Sequence, residues 1–369
     1  MRVVIVGGGT FGSSLAWHLS GRGDEVTLVD QFDPGDARAT SGGETRLIRC
    51  GHGADADYAR SARRARTLWR ELEAETGEDL LTECGVVWLA HRDTGWEADS
   101  LRVLGELGIP VARESVEEAA ARFPSFQGDD LVWAVHEPEA GVLQAQKAVQ
   151  TLARAAQARG AEVVRSRATP EGDAVRLADG RTLEGDRVIW SCGGWLGGLF
   201  PGLVSLTVTV QELCFFDGGP AWRDTPGWID YDRATYGTGD LHELGAKVAW
   251  DEQGPPLDPD ADLPAPTPEI ERLTRGYLAD RFPALADAPL KGATTCRYEL
   301  TADSHFIAAP HPEHAAVWIV GGGSGHGFKH GPAMAERLAA AWDGGEALPS
   351  YFALGERVHG ASMRTAGSN

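Results

Sequence analysis

The sequence predicts an α/β fold of two interleaved domains, one built on a parallel sheet and the other an α+β unit on a mixed or antiparallel sheet. Three observations carry this. The first thirty residues read strand, helix, strand; a second group of short strands follows a helical stretch at 143–160; and residues 206–300 hold longer strand-like runs. At 369 residues the chain also exceeds what one hydrophobic core usually supports.

The elements follow in order. "RVVIV" at 2–6 is a nearly continuous apolar run, as a buried parallel strand gives. After "GGGTFG" comes "SSLAWHLSGRG", whose Leu15, Ala16 and Leu19 share a helical face, and then the strand "EVTLVD". Residues 51–140 add the amphipathic helices "SARRARTLWRELEAE" and "SVEEAAARF" and the strand "GVVWLA". Helical spacing in "LQAQKAVQTLARAAQARG" leads into "AEVVRSRA", "GDAVRLADG" and "DRVIWSCGGW", with a tight "DGR" hairpin between two of these. "LTVTVQELCFFD" and "AKVAWD" read as strands, while the Pro- and Asp-rich "DEQGPPLDPDADLPAPTPEIE" is expected to be irregular surface chain. The tail "ASMRTAGSN" is expected to fray. No internal repeat is visible.

Lys and Arg total 34 against 54 Asp and Glu, a net charge of −20 that opposes attraction to nucleic acid or anionic lipid. The expected partner is a small molecule. No apolar run approaches the roughly 20 residues of a transmembrane helix, and "MRVVIVGGG" enters a strand without a leader-like segment, so a cytoplasmic location is expected. The five cysteines are odd in number, scattered and without a CxxC pair, which suggests neither a disulfide framework nor a metal site.

Gly7, Gly9 and Gly12, with Thr10 and Phe11 between them, have GxGxxG spacing between a strand and a helix. The first glycine permits a tight turn, the second lets a pyrophosphate approach the backbone, and the third allows close helix packing. Asp30 ends the second strand, where an acid accepts the hydroxyls of an adenosine ribose. This is a Rossmann-type dinucleotide site. A strand ending at Gly193-Gly194, just before Trp195, favours FAD over NAD, because flavoproteins pass the cofactor a second time there. The expected division is an FAD-binding domain at 1–80, 141–205 and 303–369, with a substrate domain at 81–140 and 206–302.

Three further motifs, "SGGETRLIR" (41–49), "CRYELTADSHFI" (296–307) and "GGGSGHGFKHGP" (321–332), complete a pattern running from residue 1 to about 345. In their order and spacing the chain resembles the monomeric sarcosine oxidase and N-methyltryptophan oxidase group of the glycine/D-amino-acid oxidase family of flavoenzymes. On spacing alone, Arg46 and Arg49 share a face if their segment is helical or line one loop wall, and a surface pair is the commoner case for arginines. The resemblance implies more: Thr45 and Arg46 contact the flavin, and Arg49 holds the substrate carboxylate, a role that suits its rigid fork. It implies that Gly323, Gly325, Gly327 and Phe328 wrap the flavin and that Lys329 joins Arg49 in a carboxylate clamp. His326 is then a backbone or flavin contact rather than a general base.

The same resemblance implies a thioether between Cys296 and the flavin 8α carbon. Tyr298, two residues on in an extended strand, projects to the same side and is expected to wall the substrate pocket. Tyr236-Gly237 and Lys247 keep the family's eleven-residue interval, which implies that Lys247 is water-linked to the flavin and stabilises the superoxide formed from O2. Two departures point away from sarcosine itself. Asp251, preceded by Trp250, stands where sarcosine oxidases carry a histidine, and "PGWIDYDRATYG" is aromatic and acidic.

The implied activity is oxidation of the C–N bond of a secondary α-amino acid, with O2 as acceptor, yielding an imine and hydrogen peroxide. An N-methyl amino acid demethylase and an oxidase of cyclic imino acids such as pipecolate, proline or piperideine carboxylate, in a secondary-metabolite pathway, fit equally. A dehydrogenase with another acceptor and a non-catalytic flavin-bound subunit are the alternatives. The acidic surface is compatible with a monomer.

Overall fold

Strand β1 (Arg2–Val6) lies inside a six-stranded sheet because both of its faces are apolar: Val3 and Ile5 face one core, Val4 and Val6 another. In a computed structural model that describes residues 1–357, the strand order is 307–310, 317–321, 187–190, β1, β2 (Glu25–Asp30) and 162–165. All neighbours are parallel except the first pair. Helix α1 (Thr10–Gly21) and the helices 145–158 and 331–342 pack together on one face, burying Leu15, Leu19, Leu152 and Leu338. A small antiparallel sheet at 168–183 covers the other face through Val175 and Leu177. The tail 361–369 lies outside the described residues.

The second sheet has eight strands, in the order 290–300, 207–216, 246–250, 235–240, 227–230, 86–90, 133–137 and 112–114. It is mixed: only 227–230 and 86–90 run parallel. Trp222, Trp228, Phe282 and Leu278 pack on one of its faces. Between the two large sheets, β3 (Thr45–Ile48) pairs with 141–144, which also pairs with 81–82.

Of the helix or loop wall that spacing left open, Arg46 takes neither: it lies on strand β3, with Arg49 just past the strand's end. One expectation is corrected. The Pro- and Asp-rich run is neither wholly irregular nor plain surface. A helix begins at Pro268, which suits a first-turn position because proline's missing N–H is not needed there. Upstream of it, the prolines cannot donate, yet their carbonyls still accept. Val210 N donates to Pro255 O at 3.0 Å, and Arg297 donates to the carbonyls of Pro259 and Ala261 at 2.7 and 3.1 Å. The run is thereby laid across strands 207–216 and 290–300.

Candidate active site

The glycine motif builds one end of the site. Gly7 has φ +105°, a conformation that disfavours side chains, and a Cβ on Gly12 would overlap the Gly7 carbonyl oxygen, so α1 approaches β1 closely. Gly9 caps α1 without a side-chain hydrogen bond, and the first turn holds no acid. Thr10 N donates to the Ser41 hydroxyl at 2.9 Å, and with no acid in this turn the rest of the helix N-terminus suits an anion. Asp30 stands opposite, its carboxylate accepting from Gly8 N at 2.5 Å and Phe32 N at 2.7 Å.

Gly7, Gly9, Asp30 and Phe32 line a cavity of about 460 Å³. Of the positions singled out in the sequence, Gly7, Gly9, Thr10, Phe11, Asp30, Arg46, Gly193, Trp195, Tyr298, Gly323, Gly325, Gly327 and Phe328 contribute to its wall. Arg46 is held by the carbonyls of Gly42 at 2.7 Å, Thr45 at 2.9 Å and Thr40 at 3.2 Å, with its guanidinium 5.9 Å from the Phe328 ring centre. Trp195 donates to Asp260 at 2.8 Å, tying the Pro- and Asp-rich run to the cavity mouth.

A second cavity, of about 90 Å³, adjoins the first and shares Arg46, Gly325 and Phe328 with it. Arg49, Lys329, His326, Tyr236 and Asp251 line it, as do the aromatic residues Trp88, Trp96 and Tyr231. Arg49 stacks over Trp88, 4.8 Å from the ring centre, and donates to Gly51 O. Lys329 is 3% exposed and donates to His326 O at 2.9 Å. Burial and then the Arg49 charge hold its pKa well below the ordinary lysine value. His52, His326 and His330 cluster beside it, their ligand atoms within 4.8 Å of one another. Burial first, and the nearby Arg49 and Lys329 charges as well, push all three histidines well below 6.5, so they are neutral. The Arg49 charge opposes a metal ion there.

Lys247 lies behind the wall, 2% exposed, and donates to the carbonyl of Thr45 at 3.2 Å. Burial, then Arg46, lowers its pKa to about 8. A hydroxyl chain links the two cavities: Tyr236 and Tyr298 oxygens are 3.3 Å apart, and Tyr298 donates to Asp251 at 3.3 Å.

Some expectations shift. Tyr298 walls the larger cavity, and only its hydroxyl bonds reach residues of the smaller. Thr45 lines neither cavity; as part of a buried strand it receives Lys247 instead. Gly12 packs against Gly7 and also lines neither. Cys296 lines neither; it sits partly exposed on strand 290–300, packed with Leu213, Phe215 and Ala249. His326 makes a backbone contact, its Nε2 lying 2.9 Å from Ser304 O. Sequence reasoning did not assign Glu299, Ser41, Trp88, Trp96 or Tyr231 to a cavity wall, although Ser41, Glu299 and Tyr231 lie within the stretches it singled out.

Comparison with known proteins matches residues 2–341 to the FAD dependent oxidoreductase family. The chain is 30% identical to the monomeric sarcosine oxidase of Bacillus sp. (strain B-0618), covering 91% of this chain and 90% of that protein. It is 31% identical to that of Streptomyces avermitilis, covering 91% and 92%, and 27% identical to the N-methyl-L-tryptophan oxidase of Yersinia pestis (strain Pestoides F), covering 91% and 93%. Its fold matches the L-proline dehydrogenase of P. horikoshii with a TM-score of 0.83 at 23% identity, covering 95% and 96% of the two chains. The amino acid oxidase NikD matches with a TM-score of 0.78 at 21% identity and the same coverage. By this family match and these relatives, over a chain whose glycine motif and cavity suit a dinucleotide, the protein belongs to the FAD-dependent oxidoreductase family, with monomeric sarcosine oxidases and N-methyl-L-tryptophan oxidases among its relatives.

Proposed function

We propose that this protein is an oxidase of secondary α-amino acids, N-methyl or cyclic, that converts the C–N bond to an imine and passes the electrons to O2 as hydrogen peroxide. The observation that carries the reading is the pair Arg49 and Lys329 in a small cavity adjoining the cofactor-sized one. Arg49, half-buried, and Lys329, buried, both line that small cavity, and a substrate carboxylate is the group their donors suit.

The residues present fit FAD. The N-terminus of α1 with Gly7, Gly9 and Thr10 suits a pyrophosphate, Asp30 suits a ribose, and Arg46 with Gly323 to Phe328 suits the ring end. When bound, FAD supplies the acceptor for the electrons that leave the C–N bond. The protein supplies the rest. Arg49 grips the carboxylate with its fork and Lys329 with its ammonium, which orients the amine. Their charge also favours the neutral amine, the form with a free lone pair. Asp251 adds an acceptor for an amine N–H. Lys247, fixed by Thr45, provides a positive charge for the negative charge that develops on oxygen.

We further propose that Cys296 carries the flavin through its sulfur, since it lies two residues before Tyr298 on one side of strand 290–300. The relatives named monomeric support a monomer. The six-stranded sheet, with segments 1–80, 141–205 and 303–357, is read as the FAD-binding domain, and 81–140 with 206–302 as the substrate domain.

A peroxide-coupled screen of sarcosine, N-methyl-L-tryptophan, L-proline and L-pipecolate tests the reading. Peroxide from at least one of them, abolished in Arg49→Met, is expected. Flavin reduction without oxygen uptake would overturn the oxidase half and identify a dehydrogenase; no reduction by any secondary amino acid would overturn the whole reading.

A further inference from the structure

Glu299 is a buried carboxylate that no part of the proposed reaction uses. It is 5% exposed and lies in the wall of the larger cavity. Its Oε1 accepts from Gly323 N at 3.0 Å and its Oε2 from the Thr40 hydroxyl at 3.1 Å. Gly193 permits this reach, since a Cβ there would lie 2.6 Å from Oε2. The Glu299 carbonyl also accepts from Ser324 N at 2.9 Å. Three separate segments, the loop at 40, the turn at 193 and the glycine-rich turn at 323, thus converge on one side chain.

The neighbours on either side define what lies in front of it. Thr40 precedes Ser41, whose hydroxyl accepts from Thr10 N at 2.9 Å at the start of α1, the phosphate end of the cavity. Gly323 is two residues before Gly325, which borders the smaller cavity at the ring end. The part of FAD between its phosphates and its ring is the ribityl chain, which is rich in hydroxyls. A carboxylate has about four acceptor sites; Gly323 N and the Thr40 hydroxyl take two, and the Gly322 amide is a further backbone donor. Burial still pushes the Glu299 pKa up, and one more donor from the cavity side would favour its charged form. Phosphates carry no donors and would repel it; hydroxyls donate.

We infer that Glu299 is a cofactor-binding residue whose carboxylate accepts a hydroxyl of the FAD ribityl chain. The inference rests on the FAD-dependent reading and assigns the middle of that site.

The test uses full-length protein carrying Cys296→Ala, so that flavin binding is reversible, and follows quenching of flavin fluorescence by the apoprotein. FAD is compared with its 2′-, 3′- and 4′-deoxyribityl analogues and with 3-methyl-FAD, in the parent and in Glu299→Ala and Glu299→Gln. In the parent, one deoxy analogue is expected to bind about tenfold more weakly than FAD. Glu299→Ala is expected to bind FAD about tenfold more weakly but to be indifferent to that same hydroxyl. Glu299→Gln keeps the shape of the side chain and serves if the alanine variant fails to fold; it is expected to lose most of the discrimination. Equal discrimination in parent and variants overturns the inference while leaving the cofactor reading intact. Discrimination confined to 3-methyl-FAD overturns it too, by placing Glu299 at the ring. A parent that binds no FAD removes the cofactor reading, and this inference with it.

Discussion

The ammonium of Lys247 donates to the carbonyl oxygen of Thr45 at 3.2 Å and lies 3.4 Å from its hydroxyl, joining the eight-stranded sheet to β3. The bond holds a buried positive charge one residue from Arg46, which is why its pKa falls to about 8.

Removing that charge tests its role. Reoxidation of the reduced holoenzyme by O2 is expected to slow about 100-fold in Lys247→Met, while anaerobic reduction by substrate is retained. The protonated lysine is the effective form, so the wild-type reoxidation rate falls as pH rises through about 8. The variant shows no such fall. Stopped-flow traces on either side of that pH check both.

The proposed carboxylate clamp of Arg49 and Lys329 has its own pH signature. Lys329 is held well below the usual lysine pKa by burial and by Arg49, and a bound carboxylate favours its charged form. Binding of a carboxylate inhibitor therefore takes up a proton, and affinity falls as pH rises through the lowered pKa. Arg49→Met or Lys329→Met is expected to weaken such an inhibitor by about 1.5–3 kcal/mol and to leave binding of its amide counterpart unchanged. Calorimetry in buffers of different ionisation enthalpy measures both effects.

Acid precipitation tests Cys296. Yellow colour is expected to stay with precipitated wild type and to leave Cys296→Ala. Colour that washes from the wild type would show that the flavin is held without a thioether.

Close packing of α1 on β1 predicts a steep cost at Gly12. A methyl group in Gly12→Ala would meet the Gly7 carbonyl and the Ser191 hydroxyl, and overpacking of this kind costs about 1–3 kcal/mol. A lower thermal midpoint together with reduced flavin content is expected. A change in stability with full flavin content would show that the helix N-terminus does not contact the cofactor.

The features legible in the chain's local pattern have local causes. An apolar run makes β1 a two-faced buried strand, GxGxxG spacing sets the β1–α1 turn, and a "DGR" hairpin closes a small antiparallel pair. The family was legible for the same reason, because its motifs are short and contiguous. Which way side chains of equal local pattern face depends instead on contacts between distant segments. Thr45 turns to Lys247 rather than to a cavity because β3 pairs with 141–144 and lies against the strand 246–250. Glu299 enters the larger cavity because its strand is in register with 207–216 and the turn at 323 closes over it. Trp88 and Tyr231, far apart in the chain, meet at the smaller cavity through the parallel pairing of 86–90 with 227–230. Burial and hydrogen-bond partners depend on such distant pairings, and a local sequence pattern does not encode them.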